Sequence, residues 1–275
     1  MKLHLRVLLW LWGISFIPLA TALEFQGAWQ QGAMLVGRTT PGNTVIFQDR
    51  AVSLTSQGYF VIGLGRDVKG PVVVDVRDGN ERQQYSYLVV QREYNVQRVD
   101  GVPQRTVTPP SDEVLKRIRH EGRLVRQARA GNDPREDFLQ GFIKPLDGPI
   151  TGVYGSQRVY NGVPKNPHYG LDIARPTGTV VVAPAPGIVK LVHDDMYYSG
   201  GTLVLDHGYG LSSSFIHLSG ALVKEGQRVE AGDPIAKVGA TGRATGPHLD
   251  WRVNWFNVRL DPALVLKFFP AAGGQ

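Results

Sequence analysis

Histidine and aspartate residues occur in the second half of the chain at spacings that suit metal binding. His168 and Asp172 are four residues apart, which places both side chains on one face of a helical or an extended segment. His248 and Asp250 are two residues apart in a strand-like run, so both can project from one face of a strand. Because catalytic zinc takes three histidine or carboxylate ligands and keeps one position open, the two pairs could together supply such a site.

Three further histidines, His193, His207 and His217, lie in the same half of the chain. For His207, at the end of a β-type run, a structural role is favoured, and for His193, beside two aspartates, a solvated one. The chain has no cysteine, so any metal must be held by histidine and carboxylate side chains. The spacing alone leaves open whether a metal is bound, since such pairs also arise by chance.

Four motifs, in the same order, resemble those of the lysostaphin-like M23 peptidases. They are 168–174 (HYGLDIA), 183–187 (APAPG), 215–219 (FIHLS) and 246–251 (GPHLDW), within a region from about 148 to 262. The resemblance implies one zinc ion bound by His168 and Asp172, with Asp250 at the position of the third ligand. It also implies that His217 and His248 serve the chemistry as general base and as stabilisers of the oxyanion.

The sequence departs from the family pattern at Asp250, where a histidine is usual. Aspartate is an accepted zinc ligand, but it changes the charge of the site. Two carboxylates and one neutral imidazole cancel the charge of zinc, whereas one carboxylate and two imidazoles leave one positive charge. Because a less positive centre polarises water and carbonyl groups less strongly, we expect an active enzyme that is slower or needs a higher pH.

The resemblance implies a zinc metalloendopeptidase that cleaves peptide cross-links of bacterial peptidoglycan with activated water. The alternative is a catalytically impaired scaffold of the same fold, or an activator of a cell-wall amidase, and Asp250 is the feature that favours it. A third hypothesis arises from 223–235, which resembles the hairpins of biotinyl and lipoyl carrier domains. It lacks the presented lysine that those domains need.

The elements that would position these residues are mainly β. Residues 23–103 contain short β-type runs separated by turns, which predicts a small immunoglobulin-like β-sandwich. Residues 104–147 form a linker with a helix over 111–131, for which Ser111 is a suitable N-cap. Residues 148–275 return to short β-branched runs, and the resemblance implies an antiparallel M23 domain with a duplicated hybrid motif and few or no helices.

The predicted linker helix carries many basic residues outside its apolar stripe. A solvated face is favoured over a contact with an anionic polymer. These residues are Lys116, Arg117, Arg119, Arg123, Arg126 and Arg129.

The first 22 residues have the pattern of a secretory signal peptide, with Lys2 and Arg6 before an apolar run and a small-residue cleavage site at 20–22. The run is shorter than a bilayer span, so we expect cleavage, export to the periplasm or medium, and no stable membrane insertion. The net charge of +6 is not concentrated in a stripe, which argues against nucleic-acid binding. Peptidoglycan is the expected partner, and an amidase or another envelope protein is a further one.

Overall fold

The computed structural model describes residues 23–100 and 111–272, so the predicted signal peptide lies outside the described residues. The chain is mainly β, which confirms the predicted fold class. No helix in the described ranges is both long and apolar enough to cross a membrane.

The N-terminal module consists of two small antiparallel sheets. One has the strand order β1-β2-β5 and the other β4-β3-β6-β7. Large apolar side chains from both sheets, among them Phe47, Phe60 and Ile62, are fully buried. Apolar side chains buried between two sheets form the core of a two-layer β-sandwich. The strands are β1 (Glu24–Gln26), β2 (Met34–Arg38), β3 (Thr44–Phe47), β4 (Arg50–Val52), β5 (Tyr59–Gly63), β6 (Pro71–Asp78) and β7 (Glu81–Leu88).

The C-terminal domain is built around one large sheet with the principal strand order β17-β14-β15-β16-β19-β12-β9. Its pairings are antiparallel. The strands are β9 (Ile150–Gly152), β10 (Gln157–Tyr160), β11 (Val163–Pro164), β12 (Leu171–Ala174), β13 (Val180–Val182), β14 (Gly187–Met196), β15 (Gly200–Asp206), β16 (Leu211–Ala221), β17 (Arg228–Val229), β18 (Pro234–Val238), β19 (His248–Trp255) and β20 (Val258–Leu260).

The residues of strand β19 show which side of this sheet is which. The side chains of Leu249, Trp251 and Val253 are fully buried in the hydrophobic core, which defines the core face. Because side chains alternate along a strand, the residues between them project from the opposite face. We call this the groove face; it carries His248, Asp250, Arg252 and Asn254.

The N-terminal module packs against the core-face end of β19. A Cβ on Gly63 of β5 would lie 2.8 Å from the Leu260 side chain and 3.1 Å from that of Trp255, so a side chain here would force its neighbours to shift. Phe47 of the module also lies near Trp255, with ring centroids 6.1 Å apart. These contacts fix this part of the module behind the sheet, while residues 92–95 lie beside Val153 and Tyr154.

A short strand precedes the linker, and the linker contains a longer helix. Strand β8 (Val96–Val99) pairs in parallel with β10. The linker helix (Asp112–Ala128) begins after Ser111, whose hydroxyl accepts from the amide of Val114. Its Leu124, Val125 and Ala128 pack against Val204 and neighbouring apolar residues. Because Val204 pairs with Ser214, which pairs with Arg252, the helix lies on the groove face.

The structure adds two short helices that the sequence did not predict. A 3-10 turn covers Asp137–Gln140, and the C-terminal domain contains a helix at Pro262–Phe268, capped by Asp261. His193 lies in strand β14.

Candidate metal centre

The paired strands β12 and β19 place Asp172 and Asp250 directly opposite each other. Directly paired residues project from the same face, so the two carboxylates face the groove together. Two glycines make room for them: a Cβ on Gly170 would lie 1.9 Å from an Asp250 oxygen, and one on Gly152 would lie 2.2 Å from an Asp172 oxygen. Like charges placed opposite each other destabilise a sheet unless a cation lies between them.

His168, in the loop before β12, completes a cluster of three potential metal ligands with these carboxylates. Its Nε2 lies 2.9 Å from Asp172 Oδ1 and 3.4 Å from Asp250 Oδ2. Its Nδ1 lies 3.2 Å from the carbonyl oxygen of Val153, which can only accept, so Nδ1 carries a proton in the neutral tautomer. The lone pair on Nε2 then points at two carboxylates, an arrangement that requires a proton or a metal cation among the three groups.

The pKa of His168 also reflects the two neighbouring carboxylates. Burial opposes the charged imidazole, but the hydrogen bonds and charges of Asp172 and Asp250 outweigh it and raise the pKa to about 10. In the absence of a metal, a proton therefore occupies the position that the donor set offers to a cation. The residues fit zinc, which accepts imidazole nitrogen and carboxylate oxygen and displaces such a proton.

Arg252 was missed by the sequence analysis, although it lies two residues beyond Asp250 and must share its face. Its Nε and Nη2 donate to the Asp250 carboxylate, the latter at 2.6 Å to Oδ2. Burial works against ionisation of Asp250, but Arg252 and His168 hold its pKa well below the usual range. The positive charge of Arg252 balances the negative charge that an aspartate adds in place of a neutral histidine, which offsets the charge difference expected from the sequence.

His217 and His248 lie beside this cluster, with their ring centroids 4.8 Å apart. His248 Nε2 is 4.0 Å from Asp172 Oδ1, and its Nδ1 lies 2.8 Å from the carbonyl of Gly246. His217 Nδ1 lies 2.8 Å from the carbonyl of Thr241. Because both carbonyls accept, each ring has its lone pair on Nε2. Burial lowers the pKa of His217, which keeps the ring neutral.

A β-bulge brings His217 to the groove face. Phe215 pairs with Leu203 and Leu218 with Gly201, so two residues of β16 stand opposite one residue of β15. His217 has φ +65°, a left-handed conformation that is costly for a residue with a side chain. Without the bulge, strict alternation after Ile216 would turn His217 to the core face.

His207 does not reach the groove. It is fully buried, its Nδ1 lies 2.7 Å from the carbonyl of Pro186, and its Nε2 lies 2.9 Å from the Ser213 hydroxyl. Burial lowers its pKa to about 4, so the ring is neutral. His193 accepts from the amide of Asp195 and is also separate from the three-ligand cluster.

Comparisons with known proteins find similar sequences and a similar structure. The model of peptidase family M23 matches residues 166–262. The chain is 36% identical over 126 residues to the peptidoglycan DD-endopeptidase ShyB of Vibrio cholerae, covering 46% of this chain and 29% of that protein. It is 41% identical over 87 residues to ShyA of the same organism, covering 32% and 20%. The chain thus spans less than a third of these curated relatives.

A solved structure from Pseudomonas aeruginosa, described as a peptidase M23, matches almost the whole chain. It is 31% identical, the match covers 89% of this chain and 97% of that one, and the TM-score is 0.70. The likeness therefore extends through the N-terminal module and the linker as well as the C-terminal domain. The chain belongs to peptidase family M23.

Proposed function

We propose that this chain is an exported zinc metalloendopeptidase that cleaves peptide cross-links of bacterial peptidoglycan. The observation that carries the proposal is the convergence of His168, Asp172 and Asp250 on one cation position, with the imidazoles of His217 and His248 beside it. His168, Asp172 and Asp250 would hold the zinc ion. The substrate class is inferred from the relatives whose names describe peptidoglycan DD-endopeptidases.

Bound zinc supplies a Lewis acid that polarises the peptide carbonyl and makes water a nucleophile at neutral pH. His217 and His248 supply the proton transfers. Each has its Nδ1 held by a backbone carbonyl and its Nε2 lone pair free, so one of them can take a proton from the attacking water at Nε2. The protonated ring can then donate that proton to the leaving amine nitrogen. The other ring can stabilise the oxyanion when it is protonated, because an Nε2–H is then available to donate.

The domain and location assignments belong to the same proposal. Residues 148–275 form the peptidase domain, and the module at 23–103, with the linker at 104–147, positions it. Export through the segment at 1–22 would place the enzyme in the periplasm. The packing of Gly63 against Leu260 and Trp255 supports a positioning role for the module over one of covering the groove.

The second candidate is a catalytically impaired member that acts as a scaffold or amidase activator. The observation in its favour is that Arg252 donates to both oxygens of Asp250, so this carboxylate is satisfied without a metal. Against it, the cluster of His168, Asp172 and Asp250 still offers a position for a cation, and the rings of His217 and His248 lie beside it.

The test is digestion of purified cross-linked peptidoglycan, with new amine termini and muropeptides identified by mass spectrometry. We expect zinc-dependent release of uncrosslinked muropeptides, lost on chelation and in His248→Ala. The exposed His120 of the linker helix provides the matched control, because His120→Ala removes a histidine outside the site. Intact wall in every sample, together with no stoichiometric zinc binding, would overturn the proposal in favour of the scaffold.

A further inference from the structure

Three arginines converge on the groove face next to the candidate metal centre. Arg252 follows Asp250 on β19, Arg259 on β20 pairs with Asn254, and Arg129 comes from the end of the linker helix. The Nη1 atoms of Arg129 and Arg259 both donate to Asn254 Oδ1, at 3.3 and 3.4 Å. Two guanidinium groups therefore share one neutral oxygen.

Arg129 and Arg259 have no carboxylate within ion-pair distance among residues 23–100 and 111–272. Arg129 is only 5% exposed, and its Nε has no hydrogen-bond partner. Its burial contradicts the solvated position expected from the sequence. Burial, reinforced by neighbouring arginines, lowers the pKa of Arg129 to about 9 and that of Arg259 to about 10. A buried charge is costly unless an opposite charge accompanies it.

The same buried layer also holds two hydrogen-bond donors. Ser212 pairs with Asn254 and Ser214 with Arg252, so both hydroxyls lie on the groove face. Both Oγ atoms are buried and have no partner. The guanidinium of Arg259 faces the ring of Tyr169, and the Arg252 side chain remains 25% exposed. The cluster therefore combines surplus positive charge and unused donors with an opening to the groove.

We propose that Arg129, Arg252 and Arg259 form an oxyanion-binding subsite, and that its ligand is a carboxylate of the wall peptide. Arg252 and Arg259 contact the ligand, and Arg129 contributes its charge from behind Asn254. The identification with a wall peptide rests on the proposed function, whereas oxyanion binding does not.

The position of the subsite sets where that carboxylate lies. Arg252 and Asn254 are two and four residues beyond Asp250, or about 7 and 13 Å along an extended strand. An extended peptide has the same rise per residue. A carboxylate two to four residues from the cleaved bond would therefore reach the arginines while the bond lies at the metal centre.

A purely structural role, in which the arginines tie the linker helix to the sheet, explains the geometry less well. A tie between a helix and a sheet would be served by an arginine with an acidic partner, as Arg117 has in Glu121 and Asp195. Arg129 instead meets two other cations and one amide oxygen. An anion that enters the cluster would relieve this repulsion.

The test measures binding without hydrolysis, in the zinc-loaded His217→Ala protein, by titration calorimetry. The probes are inorganic phosphate, a wall tetrapeptide with a free terminal carboxylate, and the same peptide with a terminal amide. We expect Arg259→Gln and Arg129→Gln to weaken binding of phosphate and of the acid peptide by roughly tenfold to a hundredfold. Arg119→Gln, an exposed arginine on the same helix, is the matched control and should change neither.

The three probes distinguish a wall-peptide carboxylate from a free oxyanion as the ligand. Tighter binding of the acid peptide than of its amide, lost in the arginine variants, supports the wall-peptide carboxylate. Arginine-dependent phosphate binding with equal binding of acid and amide would overturn the peptide assignment and leave a site for free oxyanions. Equal binding by all variants would overturn the subsite altogether.

Thermal stability and wall digestion provide two further tests of the subsite. Arg129→Met should leave the thermal midpoint unchanged or higher, because it removes an uncompensated buried charge; a large fall would indicate the structural role. Arginine-dependent binding in a protein that does not digest wall would leave the subsite standing and overturn only the proposed activity. If all arginine variants digest wall equally and bind the probes unchanged, the subsite would be overturned and the proposed activity would stand.

Discussion

The two halves of the groove face of β19 have opposite chemical character. Around His248 and Asp250 the side chains are mainly acceptors, and they leave room for a cation. Around Arg252 and Asn254, two residues farther along the same strand, they are mainly donors with surplus positive charge. The ion pair between Asp250 and Arg252 joins the halves. One strand can thus present a cation site and an anion site side by side, because alternate residues on one face are only about 7 Å apart.

The largest effect should come from breaking the acceptor half. Asp172→Asn keeps the shape of the side chain but removes the charge that receives the cation. We expect zinc affinity to fall by at least roughly a hundredfold, since even indirect partners of zinc ligands contribute 10–100-fold, and wall digestion to be lost with it. Competition with a chromophoric chelator measures the affinity. Asp147→Asn, at a side chain 90% exposed, is the control, and equal affinity in both variants would remove Asp172 from the metal site.

A smaller effect should follow from removing a proton-transfer group without touching the ligands. His217→Ala leaves His168, Asp172 and Asp250 in place but removes an Nε2 that faces the groove. We expect kcat/KM to fall roughly 100- to 10,000-fold, the range for a general acid or base, with zinc stoichiometry unchanged. Loss of zinc in this variant would show instead that the ring helps to hold the metal.

The link between the two halves can be broken at Arg252. Arg252→Gln leaves the buried Asp250 carboxylate without its guanidinium, which should cost about 4 kcal/mol of stability in zinc-free protein. Zinc supplies the missing positive charge, so we expect it to raise the thermal midpoint more in the variant than in the wild type. Unfolding with zinc and with chelator measures the difference.

A double variant sharpens this comparison. Asp250→His alone leaves Arg252 unpaired, whereas Asp250→His with Arg252→Gln restores the charge that the single change disturbs. Because the two side chains are in contact, the effects of the two substitutions on the thermal midpoint should not be additive. Additive losses of the thermal midpoint would mean that Arg252 does not compensate the charge of Asp250.

Which residues share one face of a strand could be predicted from the sequence, because side chains alternate along a strand. His248 and Asp250 share a face because they are two apart in a strand, and the same rule would have identified Arg252. The meeting of Asp172 with Asp250 depends on the register between β12 and β19, which are far apart in the chain, so spacing could only suggest it. The mainly β fold followed from short β-branched runs separated by turns.

Other features arise from tertiary structure alone. His217 reaches the groove through a bulge and a left-handed backbone, and no local signal in 215–219 marks either. A solvated Arg129 was expected because basic residues cover its helix outside the apolar stripe, and its burial depends on how that helix docks on the sheet. The family resemblance indicated His217, but neither spacing nor resemblance indicated Arg129.

The smallest expected effect concerns His207, the histidine of this sheet that lies among core residues. Its folded pKa of about 4 lies below the value of about 6.5 for an exposed histidine, so the unfolded chain binds the proton more tightly. The stability that neutral His207 contributes is therefore complete above pH 6.5 and is lost as pH falls towards 4, by up to about 3 kcal/mol.

His207→Gln keeps a donor and an acceptor but cannot take the proton. We expect urea unfolding between pH 7 and pH 4 to show a shallower loss of free energy in the variant than in the wild type, whereas the exposed His120→Gln should follow the wild type. Parallel curves for all three would place the proton elsewhere and show that burial in this core does not keep His207 neutral.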